Sequence, residues 1–388
     1  MKFTKVALAT AFAIAAVAAQ AQTANVTLYG YINTSIESNR GSTATTSSTV
    51  NRMTSNSSQF GLRGSESLGG GLSAVFNLQN GFGSDDGSLN GGAIWGREAW
   101  VGLEGGFGQI RAGYGLTAYD DVLGLSHQNI GSTGMQNRNA GLSSGPGFAG
   151  NQLFTSYGRN GAAGCATDSN FDARAANSLS YQTPDFAGFR VRTTYALIEE
   201  LSSKGCKLWD TAAIYSNGPI TAGLTYSLHK DFRGLAGATV GAGAIGNTAG
   251  SHDQNTIRGY GRYNFGVARV DAAYEVMSFK LASGTLKAKY WEVGAQMPMG
   301  AANFGLQYSQ RDNGAAWAYV APTGYAVTAA TPIALIRNNW TVGGGKHLAV
   351  VADYSLSKRS QAYAYFSNLK NETNGKQNTL AIGMIHRF

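Results

Sequence analysis

The run NTLAIGMIHRF, residues 378–388, decides the fold. Leu380, Ile382, Met384 and Phe388 share one parity, and Thr379, Ala381, Gly383 and Arg387 take the other, which is the two-residue period of a strand with one apolar face. Such a strand needs a partner for its edge and somewhere to bury that face. In a chain that opens with an export signal, a β-barrel sealed by its final strand supplies both, with Phe388 in an aromatic girdle at the membrane surface.

The export signal is read at the other end. Lys2 and Lys5 form a positive region, Val6 to Ala18 an apolar core of small residues, and Ala19-Gln20-Ala21 a cleavage site, so the mature chain is expected to begin at Gln22. The organisation is thus a signal peptide over 1–21 and one barrel over 22–388. The apolar core falls short of the ~20 residues that span a bilayer as a helix. No later run comes near that length, and the mean hydropathy is −0.16. A helical membrane protein is excluded on these grounds. A barrel is not, because its strands need apolar residues only at alternate positions.

Composition gives the class. Fifty-three glycines, six prolines and nineteen tyrosines, with 13% charged residues, describe many short strands joined by tight turns and little helix. Without Lys2 and Lys5 the formal charge falls from +8 to +6, spread along the chain instead of gathered in blocks. Nucleic-acid binding wants clustered Lys and Arg and is disfavoured. A basic chain with few charges suits an interior that attracts anions.

Sixteen strands can be marked out, from 26–37 to 377–388, an even number that lets the first and last strands pair. Short breaks such as Gly105–Phe107, Asn217–Pro219 and Pro298–Ala301 alternate with long Gly/Ser/Asn-rich stretches, the layout of a transmembrane barrel with turns at one rim and loops at the other. The longest internal stretch, Leu116 to Asp172, is too long for a plain connection. A sixteen-stranded barrel leaves a water-filled lumen into which it can fold, narrowing the pore.

Several segments together carry a resemblance. NVTLYGYIN (25–33), SQFGLRGSESLGGGLSAVFNLQNGF (58–82), GREAWVGLEGGFGQIRAGY (96–114), ANSLSYQTPDFAGF (176–189) and the terminal strand resemble general diffusion porins of the β-proteobacterial outer membrane, across the whole of residues 22–388. The terminal Phe resembles that of Gram-negative outer-membrane proteins generally. The resemblance implies homotrimers of sixteen-stranded barrels in the outer membrane. Each barrel would pass ions and small hydrophilic solutes by passive diffusion, through a pore narrowed by the third extracellular loop.

Strand parity then nominates pore residues. Leu179 and Tyr181 outward leave Arg174, Ala176, Ser178, Ser180 and Gln182 to the lumen; Phe60 and Leu62 outward leave Gln59 and Arg63; Phe76 and Leu78 outward leave Asn77 and Gln79. Trp100 outward places Arg97 inward, although Val101 and Leu103 then share the lumen parity. The family sets a basic wall against acids on the inward loop. Arg97 and Arg174 match two basic positions, Gln59 replaces a third, Asn77 stands where an acid is common, and the loop offers Asp120 and Asp121, with Asp168 and Asp172 at its far end. Two or three arginines against one or two aspartates favour anions. Two unit charges ~5 Å apart in watery surroundings interact by about 1 kcal/mol, roughly a fivefold change in local ion population. That gives preference without exclusion.

Cys165 and Cys206 fall in neighbouring loops of one rim and are expected to pair in an oxidising compartment. No nucleophile or metal motif surrounds the five histidines, His127, His229, His252, His347 and His386, which read as loop and rim residues. The six tryptophans read as girdle residues. No enzyme activity, cofactor or metal is expected. The rival readings are a substrate-specific channel in the same barrel and a surface adhesin using the long loops, Asp312 to Gly344 above all.

Overall fold

The computed structural model describes residues 25–42, 47–89, 94–127, 171–172, 174–197, 207–232, 238–240, 243–244, 252–281, 284–313, 317–319, 340–342, 345–371 and 375–388. Sixteen strands form one antiparallel sheet: β1 (Asn25–Ser42), β2 in two halves (Ser47–Ser55 and Gln59–Gly69), β3 (Leu72–Gly81), β4 (Glu98–Gly105), β5 (Gly108–Leu116), β6 (Arg174–Gln182), β7 (Phe189–Leu197), β8 (Lys207–Asn217), β9 (Ile220–Phe232), β10 (His252–Asn264), β11 (Arg269–Leu281), β12 (Gly284–Met299), β13 (Ala302–Asn313), β14 (Gly345–Ser355), β15 (Ser360–Asn371) and β16 (Gly375–Arg387). Each strand pairs with the next. β1 pairs with β16 from Tyr31 opposite Arg387 to Ser42 opposite Lys376, so the sheet closes on itself and has no edge.

The C-terminal residue completes the closure. Phe388 N donates to Gly30 O at 3.0 Å, and Gly30 N donates to Phe388 O at 3.2 Å. A Cβ on Gly30 would stand 2.4 Å from Gln59 O and 2.9 Å from Phe388 Cζ, so only glycine admits the terminal ring here. Phe107, Phe186, Tyr263, Phe265 and Phe388 lie exposed at the short-turn rim. This is the expected aromatic girdle.

Alternation along the strands is clean. Leu28, Ile36, Leu224, Leu306 and Ile382 are exposed on the outer face, while Asn33, Ser35, Glu37, Thr225 and Gln307 on the opposite parity are buried. The apolar belt faces lipid and the polar residues face the interior, the inverse of a soluble core. No helix among the described residues is long and apolar enough to cross a membrane; the crossing is made by strands.

Strand limits follow the sequence reading within a few residues, with additions where the alternation was hidden. The Ser47–Ser55 half of β2 is all polar except Val50 and Met53, so no apolar face announced it. A helix, α1 (Tyr119–His127), opens the long loop. Ala238–Val240, Gly243–Ala244, Trp317–Tyr319 and Trp340–Val342 make a second, four-stranded sheet from two other loops. The signal peptide, Cys165 and Cys206, and Asp168 lie outside the described residues.

Candidate functional site

From Leu116 the chain turns into the barrel. Thr117 Oγ1 donates to Asp120 Oδ2 at 3.5 Å before the first turn of α1, and Asp120 and Asp121 sit in that turn, where carboxylates suit the helix dipole. Ala118, Tyr119 and Val122 are fully buried, packed with Leu125 against Ala212, Ile214, Tyr260 and Ala273 of the inner wall. The wall is pared down to receive them. A Cβ on Gly223 would lie 3.0 Å from Leu125 Cδ1 and 3.1 Å from both Val122 methyls. Polar tethers fix the helix: Tyr119 OH donates to Glu275 Oε1 (2.7 Å), Arg258 Nη2 to Ser126 Oγ (2.8 Å), and Arg262 Nη2 to the Leu125 carbonyl (2.6 Å). At the loop's far end Phe171 is buried with its ring centroid 6.0 Å from Tyr119, 5.0 Å from His229 and 5.9 Å from Phe279. The described ends of the Leu116–Asp172 loop thus both lie against the inner face of β8 to β11.

Behind α1 the wall holds a charge cluster closed to water. Arg258, fully buried, pairs with Glu275 at 3.1 Å and Glu292 at 2.8 Å, and its guanidinium lies 5.4 Å from the Tyr290 ring. Thr256, Tyr290 and Gln307 complete the carboxylate bonds at 2.8, 2.5 and 3.0 Å. His229 sits in the same wall with Ser227 Oγ at 3.0 Å, Gln254 Nε2 at 2.9 Å and Asp210 3.6 Å away. These three residue types could suggest a nucleophile, but Ser227, His229 and Asp210 are all fully buried, with the Phe171 ring packed on the imidazole. His229 and His347 are therefore wall residues and not loop or rim residues, whereas His386 stands exposed at the rim, bonded to Ser360.

The opposite wall, β1 to β5, carries a chain of contacts with open faces. The Arg63 guanidinium lies over the Tyr29 ring at 5.0 Å; Tyr29 OH donates to Asn77 Oδ1 (2.6 Å); Asn77 Nδ2 donates to Glu98 Oε2 (2.8 Å). Arg97 Nε donates to Gln79 Oε1 (3.1 Å), and Gln79 Nε2 to Tyr29 OH (3.3 Å). Trp100 Nε1 also donates to Glu98 Oε2 (2.7 Å), and Arg111 lies 5.1 Å over the Trp100 ring. The line reaches the loop where Arg111 Nη2 and Arg192 Nη2 both donate to the Leu116 carbonyl and Arg192 Nη1 meets Asp121 Oδ1 at 2.7 Å. Arg97, Arg63, Asn77 and Asp121 thus join one network, Asp120 lies in the first turn of α1, and Gln59 flanks it, paired between Tyr31 and Gly81.

Two parity assignments are corrected. Trp100 faces the lumen and Val101 and Leu103 face out, 61% and 43% exposed. Arg97 reaches Gln79 from just before β4, so its placement owes nothing to strand alternation. An outward Trp100 would turn Glu98, of the same parity, outward with it, so the main carboxylate of this wall went unnamed; the unbroken Ala99-Val101-Leu103 alternation was the signal. Trp100 is likewise no girdle residue. In β6 a bulge intervenes: Gly113 pairs with Ser178 but Gly115 with Ala175, with Asn177 at φ 50°. The extra residue reverses the alternation. Fully buried Ala175 takes the inner parity and Arg174, opposite Leu116, takes the other, so the lumenal assignment of Arg174 by parity fails.

A family model for Gram-negative porins matches residues 7–374. The chain belongs to the Gram-negative porin family. The porin is 32% identical to outer membrane porin protein 32 of Delftia acidovorans, over 80% of each chain, and 27% identical to an outer membrane porin protein of Bordetella pertussis, over 96% of each. Its fold is similar to a solved structure described as an anion-selective porin from Comamonas acidovorans, with a TM-score of 0.67 and 25% identity over 94% of this chain and 100% of that one. The porin is an outer-membrane diffusion channel. Its family is one of channels, not enzymes.

Proposed function

We propose that this porin passes inorganic ions and small hydrophilic solutes passively, with a modest preference for anions, through a constriction formed by Arg63, Arg97, Gln59 and Asn77 on the wall and Asp120 and Asp121 on the loop. One observation carries the sign. At this level the wall carboxylate is covered while two arginines stand open: Glu98 is 9% exposed and receives bonds from Asn77 and Trp100, Asp120 is buried at the helix start and Asp121 is paired with the buried Arg192, whereas Arg63 and Arg190 are exposed on the lumen parity. A covered carboxylate acts on a passing ion mostly through its bonded partners, while an exposed guanidinium acts on it directly. The anion-selective description of the Comamonas porin agrees with this reading.

The preference expected is about 1 kcal/mol per exposed charge, roughly fivefold in ion population, and weakens as salt screens the field. Planar-bilayer recordings across a KCl gradient test it. An anion-selective reversal potential with conductance rising steadily with salt is expected; a cation-selective potential, or saturation by one solute, would overturn it, the latter in favour of a substrate-specific channel. Homotrimer assembly, cleavage after Ala21 and a Cys165–Cys206 bridge belong to the same proposal; crosslinking, N-terminal sequencing and non-reducing peptide mapping test each in turn.

A further inference from the structure

Along β4 the lumenal parity carries a carboxylate, an indole and a bare glycine: Glu98, Trp100 and Gly102. On the neighbouring strand β5, Arg111 stands opposite Gly102 and Gly113 opposite Trp100. The order along the wall is therefore acid, indole, base. The four residues of strand from Glu98 to Gly102 span about 13 Å, a gap that two long side chains reaching toward each other can close. The indole of Trp100 stands in that gap.

Its edge and its face hold the two charges separately. Trp100 Nε1 donates to Glu98 Oε2 at 2.7 Å, and the same oxygen accepts from Asn77 Nδ2 at 2.8 Å. The Arg111 guanidinium lies 5.1 Å from the indole centroid, within cation–π range, and its Nη2 donates to the Leu116 carbonyl at 3.0 Å. The neighbouring strand is cut away to admit this arrangement. A Cβ on Gly115 would stand 3.3 Å from Trp100 Cδ1 and 3.8 Å from Glu98 Cδ. Both donors to Glu98 are neutral groups, and Glu98 makes no ion pair among the described residues. Its charge is oriented by hydrogen bonds and is not cancelled.

We propose, resting on the anion preference inferred above, that Trp100 is a positioning residue for ion selectivity: its N–H holds the Glu98 carboxylate against the wall while its ring face keeps Arg111 out of the carboxylate's reach. Losing the N–H frees the carboxylate along two routes, and both run the same way. Turned into the lumen, Glu98 cancels part of the field of Arg63 and Arg97. Closed onto Arg111, it cancels that guanidinium. Either movement lowers the preference for anions.

Trp100→Phe keeps a ring beneath Arg111 and removes the N–H. Reversal potentials across a KCl gradient are to be measured for the parent, Trp100→Phe, Glu98→Gln and the double variant, with the thermal unfolding midpoint of each as the check that its barrel is folded. Trp100→Phe is expected to lower the chloride-to-potassium permeability ratio about two- to fivefold, the upper figure being the worth of one uncovered charge. Asn77, which holds the same oxygen, limits the change. Glu98→Gln retains an acceptor for the indole and is expected to be at least as anion-selective as the parent. In the double variant the effect of Trp100→Phe should vanish, since no charge is left to release, whereas an effect of repacking around the smaller ring would persist. An anion-selective parent whose Trp100→Phe variant has the same potential, or a shift of equal size in the Glu98→Gln background, would overturn the role of Trp100 and leave the anion preference standing. A cation-selective parent would overturn that preference; a further shift toward cations in Trp100→Phe, abolished by Glu98→Gln, would still support the role of Trp100.

Discussion

The two sides of this lumen use arginine in opposite ways. On β10, behind α1, Arg258 is sealed off with Glu275 and Glu292 against it and Ser126 of the loop as a further partner. On β2, across the barrel, Arg63 rests on the Tyr29 ring with its outer face exposed to the lumen. The first has its charge balanced within the protein and serves to hold a helix on a wall. The second leaves its charge available to whatever passes. The difference teaches that lumenal charge alone does not define a pore residue; burial decides whether the charge is felt by the wall or by the solute.

The comparison is broken most severely at the sealed side. Arg258→Ala removes the guanidinium that bonds both buried carboxylates and should cost about 3–5 kcal/mol, seen as a large drop in the thermal unfolding midpoint of the detergent-solubilised porin. A stability equal to the parent would mean that water reaches the cluster and that the two walls are less distinct than the burial implies. Gly223→Leu comes next. Its side chain collides with Val122 and Leu125, an overpacking of about 1–3 kcal/mol that is relieved by displacing α1, so single-channel conductance should rise while the barrel stays closed. Unaltered conductance would place the narrowing elsewhere in the loop.

A smaller effect joins the two sides through pH. Burial pushes the Asp121 carboxyl up to about 7, while Arg111 and Arg190 pull it the other way, and the Arg192 guanidinium at 2.7 Å adds to that pull. Above that pH the carboxylate cancels part of the basic field; below it the group is neutral and the field stands uncovered. Anion preference should therefore be greater at pH 6 than at pH 8, by up to about the fivefold that one charge is worth. Asp121→Asn should remove the pH step and hold the selectivity at its acid value. A step that persists in that variant would assign it to another group.

What could be read from the sequence follows the same division between regular and local physics. The strands were legible because lipid on one side and water on the other force a strict alternation, and Leu380, Ile382 and Met384 display it without interruption. The closure of β1 on β16 followed from the even count. The site was legible only where alternation holds. Asn77 and Arg63 sit in unbroken strands and were placed by parity; Arg174 lies beyond a bulge at Asn177 that no periodicity announces. Glu98 was hidden by a tryptophan: Trp100 looks like a lipid-facing residue until its indole is seen to bond Glu98 and carry Arg111 on its face. Arg192 and Arg258 went unnamed because their importance comes from α1, whose seat on Ala212, Gly223 and Ala273 is a matter of small residues on three different strands. Tertiary contacts of that kind leave no local pattern.

The central claim is that the exposed arginines of the open wall, and not the sealed ones, set the selectivity. Reversal potentials across a KCl gradient, measured for the parent, for Arg63→Ala/Arg97→Ala and for a charge-keeping variant of the sealed side, Arg258→Lys, test it most directly. The account predicts an anion-selective parent, a double variant whose potential moves toward zero with its unfolding midpoint unchanged, and a parent-like potential in Arg258→Lys. A double variant as anion-selective as the parent, or a parent that prefers cations, would contradict it.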